Sequence, residues 1–328
     1  MASLAEIRAK LQEQENRRSG KGGGGGDNAI YPFWNIPEGS TATLRFLPDA
    51  NESNSFFWVE RQMIRIPFAG VKGGDENRQT VVQVPCVEMW GETCPIHAEI
   101  RPWFKDKNME DLGRRYWKKR SYIMQGFVVN STLAEDTMPE NPIRRFVINP
   151  SIFNIIKSAL MDPEMEELPT DFQRGTDFRL TKTTKGQYAD YATSSWARKE
   201  RSLGQEELEA IQKHGLFNLN DFMPKKPNAD ELAQIFEMFQ ASVEGELFDP
   251  QRFSAFRPSG MSANTDADDA PAASATVAAR PAPKVVEDED ETPVAPVKPV
   301  ATTDAPAEPG KKPSVEEILQ LIKKRRDQ

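Results

Sequence analysis

Between Asn264 and Gly310 the chain carries no aromatic residue, and 10 acidic residues outnumber 3 basic ones among Ala, Pro, Thr and Val. Such a stretch has too little to bury to offset the entropy of ordering it, so disorder is expected. Near the other end, SGKGGGGGDN (19–28) loses too much backbone entropy to stay ordered and reads as a tether. Folding is therefore confined to the segment between them. The chain divides into a helical arm (1–21), a Gly-rich tether (22–28), a core (29–256), an acidic linker (257–313) and a short amphipathic helix (314–326).

The arm, ASLAEIRAKLQEQENRR, repeats Leu4, Ile7 and Leu11 at helical spacing, and Ser3 with Glu6 fits a capping box. Its apolar stripe is narrow, so it needs a surface to lie on, in a neighbouring subunit or in its own core. The terminal piece SVEEILQLIKKRR has Ser314 as a cap, Glu316 and Glu317 in its first turn and basic residues in its last. That design suits a helix that folds against a partner.

Within the core, TATLRFLPD (41–49), FFWVERQMIRIPF (56–68), TVVQVPC (80–86), SYIMQGFVVN (121–130) and RRFVINP (144–150) read as strands. TDFRLTKTTKGQYADYATSSWARK (176–199) reads as a hairpin with its turn near Lys185 and Gly186. Helices are predicted over 151–161, 204–215 and 228–245. Short strands with polar turns and few helices favour a mostly β fold built on a small barrel over a layered α/β fold.

The formal net charge is -8, which on its own argues against a nucleic-acid partner, but the distribution of charge matters more than the sum. Residues 101–122, RPWFKDKNMEDLGRRYWKKRSY, hold 8 basic and 3 acidic side chains interleaved with Trp103, Phe104, Tyr116, Trp117 and Tyr122. Trp103 and Trp117 are the rings most expected to be buried. A second cluster adds Lys182, Lys185, Tyr188, Tyr191, Trp196, Arg198 and Lys199. Cations that neutralise phosphates beside rings that stack on bases are what a single-stranded nucleic acid asks for. Phosphate-loop, metalloprotease and nucleophile-elbow patterns do not occur, and two histidines leave little for acid–base catalysis, so a non-enzymatic role is expected. No apolar run nears the roughly 18 residues a membrane span needs.

The segments TATLRFLPD, CVEMWGETCPIH, KKRSYIMQGFVVN, FVINPSIFNIIKS and DFRLTKTTKGQYADY, in this order and between these tails, carry a resemblance. Over residues 1–255 the chain resembles the single-stranded DNA-binding, helix-destabilising replication proteins of T-even-like phages. The resemblance implies an OB-fold core, a small Greek-key barrel with helical additions, and a zinc subdomain beside it. It implies cooperative, largely sequence-independent coating of single-stranded DNA in the cytoplasm of an infected host. The arm would contact the next copy along the strand, here through Leu4, Ile7 and Leu11 with Arg17 and Arg18. The acidic tail would meet replication, recombination and repair proteins. The groove residues fall on Lys118, Lys119, Arg120, Tyr122, Tyr188 and Tyr191, with Tyr116 and Trp117 close by. Two features depart from the family: no compact basic patch opens the chain, and its end is basic where the family's is acidic. A scaffold that bridges proteins through its terminal helices is the alternative function, and an RNA-binding regulator is a more distant one.

The stretch CVEMWGETCPIH contains both cysteines of the chain and one of its two histidines. The family binds zinc through a histidine followed by three cysteines, and the last three positions fall on Cys86, Cys94 and His97, with a shorter first spacing and an imidazole for the final thiolate. Zinc accepts either donor. The first ligand falls near Glu60–Met63, where there is no histidine. Glu60, Asp75 or His214 would have to complete the set, or the cysteines are small core residues.

Overall fold

In a computed structural model, residues 29–135, 138–186 and 188–258 are described. The expected N-terminal arm, its self-association residues Leu4, Ile7, Leu11, Arg17 and Arg18, the tether, the acidic linker and the terminal helix lie outside them. The described chain forms two compact units, one of residues 29–60 and 122–223, the other of residues 61–121 and 224–258.

In the first unit the central strand is β1 (Thr41–Leu47). It pairs antiparallel with β4 (Lys119–Asn130) on one side and β6 (Thr176–Thr181) on the other. β5 (Arg144–Ile148) adds to β4, and β9 (Ser195–Glu200) adds to β6. β7 (Thr183–Lys185) and β8 (Tyr188–Asp190) make a separate two-stranded sheet. The line of paired strands stops at β9, and no sheet among the described residues closes on itself. The expected OB-type barrel is thus corrected to a mixed α/β fold with two sheets. The reason lies in the core. Helix α3 (Pro150–Leu160, the third α-helix in chain order) inserts Ile152, Phe153 and Ile156 among Phe46, Phe146 and Phe178. A helix completes this core, where a barrel would use strand-to-strand closure. Each of those side chains contributes roughly 1.5–3 kcal/mol by leaving water. Asn149 accepts the Ile152 N–H and Pro150 occupies the first turn, which fixes where the helix starts.

A buried ionic network pins β1 to β6. Arg45, fully buried on β1, pairs with Asp177, and it donates to the carbonyls of Asp171 (2.7 Å) and Arg201 (2.8 Å). Arg201 in turn bridges Asp177 and Glu207 at the start of α4 (Gln205–His214). Gly175 has no room for a Cβ, which would overlap the Asp171 carbonyl and the Arg45 guanidinium.

Burial alone would raise the Glu207 pKa, but the Arg201 guanidinium and the Gly204 N–H take it below its ordinary 4.5. A depressed folded pKa means stability that is present above the ordinary value and lost as pH falls through the folded one. Glu207→Gln is therefore expected to cost about 2 kcal/mol at neutral pH. Chemical denaturation followed against pH should show parent and variant converging on the acid side of 4.5. A gap that stays constant with pH would contradict this.

The second unit holds the rest of β2 (Trp58–Phe68), paired antiparallel with β3 (Thr80–Pro85). A 3-10 turn (Val87–Trp90), α1 (Pro95–Ile100), another 3-10 turn (Arg101–Lys105), α2 (Glu110–Tyr116) and α5 (Ala229–Val243) follow. Ile64, Ile66, Val82, Val84, Trp103, Tyr116 and Phe239 fill its core. The Tyr116 hydroxyl meets Ser242 Oγ at 2.9 Å, so the buried ring keeps its polar end paired. Among the described residues no helix is long and apolar enough to cross a membrane.

Candidate metal centre and nucleic-acid interface

β3 delivers Cys86 into the second unit's core, where its N–H donates to the Gln62 carbonyl at 3.0 Å. The 3-10 turn that follows ends on Gly91 at φ 73, a left-handed residue that turns the chain back. Cys94 then takes the N-cap position of α1, with Pro95 in its first turn. His97 lies three residues on, so one helical turn presents both side chains on one side. Cys86, Cys94 and His97 are all buried, and their donor atoms lie within 4.8 Å of one another. Cys86 Sγ is 3.8 Å from His97 Nδ1. The cysteines are not bonded to each other.

His97 is held on every side. The Lys118 N–H donates to Nε2 at 3.2 Å, which assigns the ring proton to Nδ1, and Nδ1 faces Glu88 Oε1 at 3.0 Å. Its ring stacks on Trp117 at 4.4 Å. Burial holds the imidazole's pKa below 6.5 against the pull of Glu88. The thiols divide unequally. Cys86 donates to Cys94 and is buried, which pushes its pKa up. Cys94 receives that bond and the N–H groups of His97 and Ile96, which pull it down. Two sulfur donors and an imidazole within one ion's reach fit a soft or borderline metal ion. This cluster can hold one.

The group contains neither Glu60, Asp75 nor His214. The carboxylate that touches it is Glu88, already bound by Lys118 Nζ (2.8 Å) and Arg101 (3.4 Å). Glu88 lies inside the quoted CVEMWGETCPIH stretch, two residues from Cys86, and that spacing was the available signal.

No protein-family model matches this chain, and no curated protein matches it in sequence.

The expected groove residues fall into two groups. Tyr116, Trp117, Tyr122 and Tyr191 are core residues, between 2% and 7% exposed. Tyr122 lies parallel to Phe153 at 3.5 Å, and Tyr191 meets Phe33 edge-on at 5.7 Å. Their rings build the two cores and are not presented for stacking. The physical cause in α2 is helical period: Arg114 and Arg115 point to solvent while Tyr116 turns inward. Lys118 is engaged by Glu88, and Lys182 Nζ donates to the Trp34 (2.6 Å) and Ile36 (3.0 Å) carbonyls. Lys119 and Arg120 are half-buried at the start of β4. Tyr188 is 48% exposed, directly across the β7–β8 pair from exposed Lys185. Lys118–Arg120 belong to the second unit, and Lys182–Tyr191 to the first.

Exposed rings of the first unit also lie outside both basic clusters of the sequence. Trp34 (41% exposed) lies beside Lys182, and Phe56 (58% exposed) rests on Trp58 with centroids 4.7 Å apart. Phe56-Phe57-Trp58 looks like a strand interior, and only Phe57 is buried.

Proposed function

We propose that this protein binds single-stranded DNA by charge and ring stacking, with little preference for sequence, and that a zinc ion at Cys86, Cys94 and His97 braces the second unit. The observation that carries the reading is Tyr188, an exposed ring set across a two-stranded ribbon from an exposed lysine. An aromatic that stays in water next to a cation gains little from the protein itself, whereas a stacked base and its phosphate use both. Trp34 and Phe56 offer further faces on the same unit. The chain's own part in zinc binding is to present one sulfur from the end of β3 and a sulfur and an imidazole from the first turn of α1, with Trp117 stacked on the imidazole. The ion, when bound, would cross-link β3 to α1. Cooperative coating through the arm and recruitment of replication proteins through the tail complete the proposal.

Tyr188→Ala is expected to cost about 1–3 kcal/mol of binding, a fivefold to 150-fold rise in Kd. Tyr188→Phe, which keeps the ring, is expected to bind as the parent does. Fluorescence anisotropy with a labelled oligonucleotide measures both. Equal affinities for the Ala variant and the parent would contradict the stacking role.

A further inference from the structure

In the second unit, strand β2 carries a basic surface that no charge run in the sequence marks. Ile64, Ile66 and Phe68 point into the core, and Arg61, Met63 and Arg65 alternate with them onto the opposite face. Arg61 Nε donates to Ser121 Oγ at 3.2 Å, and Lys119 shares that face of β4 with Ser121 by alternation. Across the β2–β3 pair Arg65 faces neutral Gln83, and Met63 faces Pro85. Several cations of this unit have a carboxylate: Lys118 and Arg101 share Glu88, Arg114 has Glu110, Lys72 has Asp249. Among the described residues Arg61, Arg65 and Lys119 have none. Arg61 is half-buried, and burial together with the charge of Arg65 holds its pKa below the ordinary arginine value. Two guanidinium groups gathered without a counter-charge cost free energy until an anion arrives.

We propose that Arg61, Arg65 and Lys119 form a phosphate track that takes the phosphodiester backbone of a single strand. The guanidinium fork matches a phosphate, and the Arg61 side chain is oriented by Ser121. Four residue steps along the strand separate the arginines by about 13 Å, a span that phosphates of an extended strand bridge, with Met63 between them as apolar contact for a sugar or base. This deepens the proposed function and rests on it. It adds a backbone-positioning site distinct from the stacking rings of the first unit.

The test uses the full chain, an Arg61→Gln/Arg65→Gln double variant and an Arg61→Lys/Arg65→Lys double variant. Each is titrated with labelled oligo(dT) and oligo(dA) across salt concentrations, and each is melted with and without inorganic tripolyphosphate, which has no bases to stack. The Gln variant is expected to lose about tenfold or more in affinity at low salt, equally for both oligonucleotides. Its slope of log K against log salt should be shallower by about 1.4, the value for two lost single-strand phosphate contacts. The Lys variant should keep the slope, which separates charge from folding damage. Tripolyphosphate should raise the melting temperature of the parent and the Lys variant but not of the Gln variant. An unchanged slope in the Gln variant, or tripolyphosphate protection that survives it, overturns the track. A parent that binds no oligonucleotide, yet is protected by tripolyphosphate through these arginines, leaves an anion site standing and overturns the single-strand assignment.

Discussion

Arg45→Ala is expected to destabilise the first unit by about 3–5 kcal/mol, the range for breaking one side of a buried ion pair. The side chain is fully buried, and its loss removes one cation from Asp177 and orphans the carbonyls of Asp171 and Arg201. Asp177 keeps Arg201 at 2.8 Å, so much of the penalty comes from unpaired carbonyls and the cavity left behind. Arg45→Lys, which keeps the charge but cannot reach all three acceptors in one plane, should fall between the variant and the parent. Guanidinium denaturation followed by far-UV circular dichroism measures all three. A loss under about 1 kcal/mol for the Ala variant would mean that water enters and replaces the lost bonds.

Zinc is expected to raise the melting temperature of the parent, and Cys94→Ala to abolish the rise. An ion present at a thousand times its Kd adds about 4 kcal/mol. For a domain of this size that is about 8–16 °C. Binding requires Cys86 and Cys94 as thiolates and so releases their protons, and it should tighten as pH rises. Elemental analysis of the untagged protein, with calorimetry before and after a chelator, checks stoichiometry and stabilisation together. A parent that melts at one temperature with or without zinc would leave the cluster as thiols and an imidazole packed in a core. A zinc-dependent rise that survives Cys94→Ala would place the ion elsewhere.

The elements with strong local period were readable from the residues. β1 alternates as TATLRFL, 176–181 alternates over Phe178, Arg179 and Leu180, and 144–148 is marked by its strand-favouring Phe, Val and Ile. Helix α5 was readable over 228–245, and it starts where Asn228 and Glu231 cap each other's backbone. The four short helical turns between Val87 and Tyr116 were not readable, because segments of four to seven residues complete too few turns to show a period. Barrel closure was not readable either. It depends on which strand edges meet, a non-local matter, and here α3 fills the core in place of a closing pair.

Rings and cations that interleave in sequence need not share a surface. In α2 the helical period separates them, with Arg114 and Arg115 outside and Tyr116 inside. The three metal donors were readable from their x2 turn and their scarcity. The contacts of Glu88 were not, since they depend on how α1 lies against the turn before it. Arg61 and Arg65 were hidden for a similar reason, as two cations in an alternating strand look like an ordinary wet face.

We propose above all that the chain holds single-stranded DNA by phosphate contacts and exposed rings. Titrating the full chain with oligo(dT) and following its intrinsic tyrosine and tryptophan fluorescence tests this most directly. Quenching at low salt that reverses as salt is added, and the same behaviour with oligo(dA), is the expected result. Fluorescence that does not change with either oligonucleotide at low salt would contradict it.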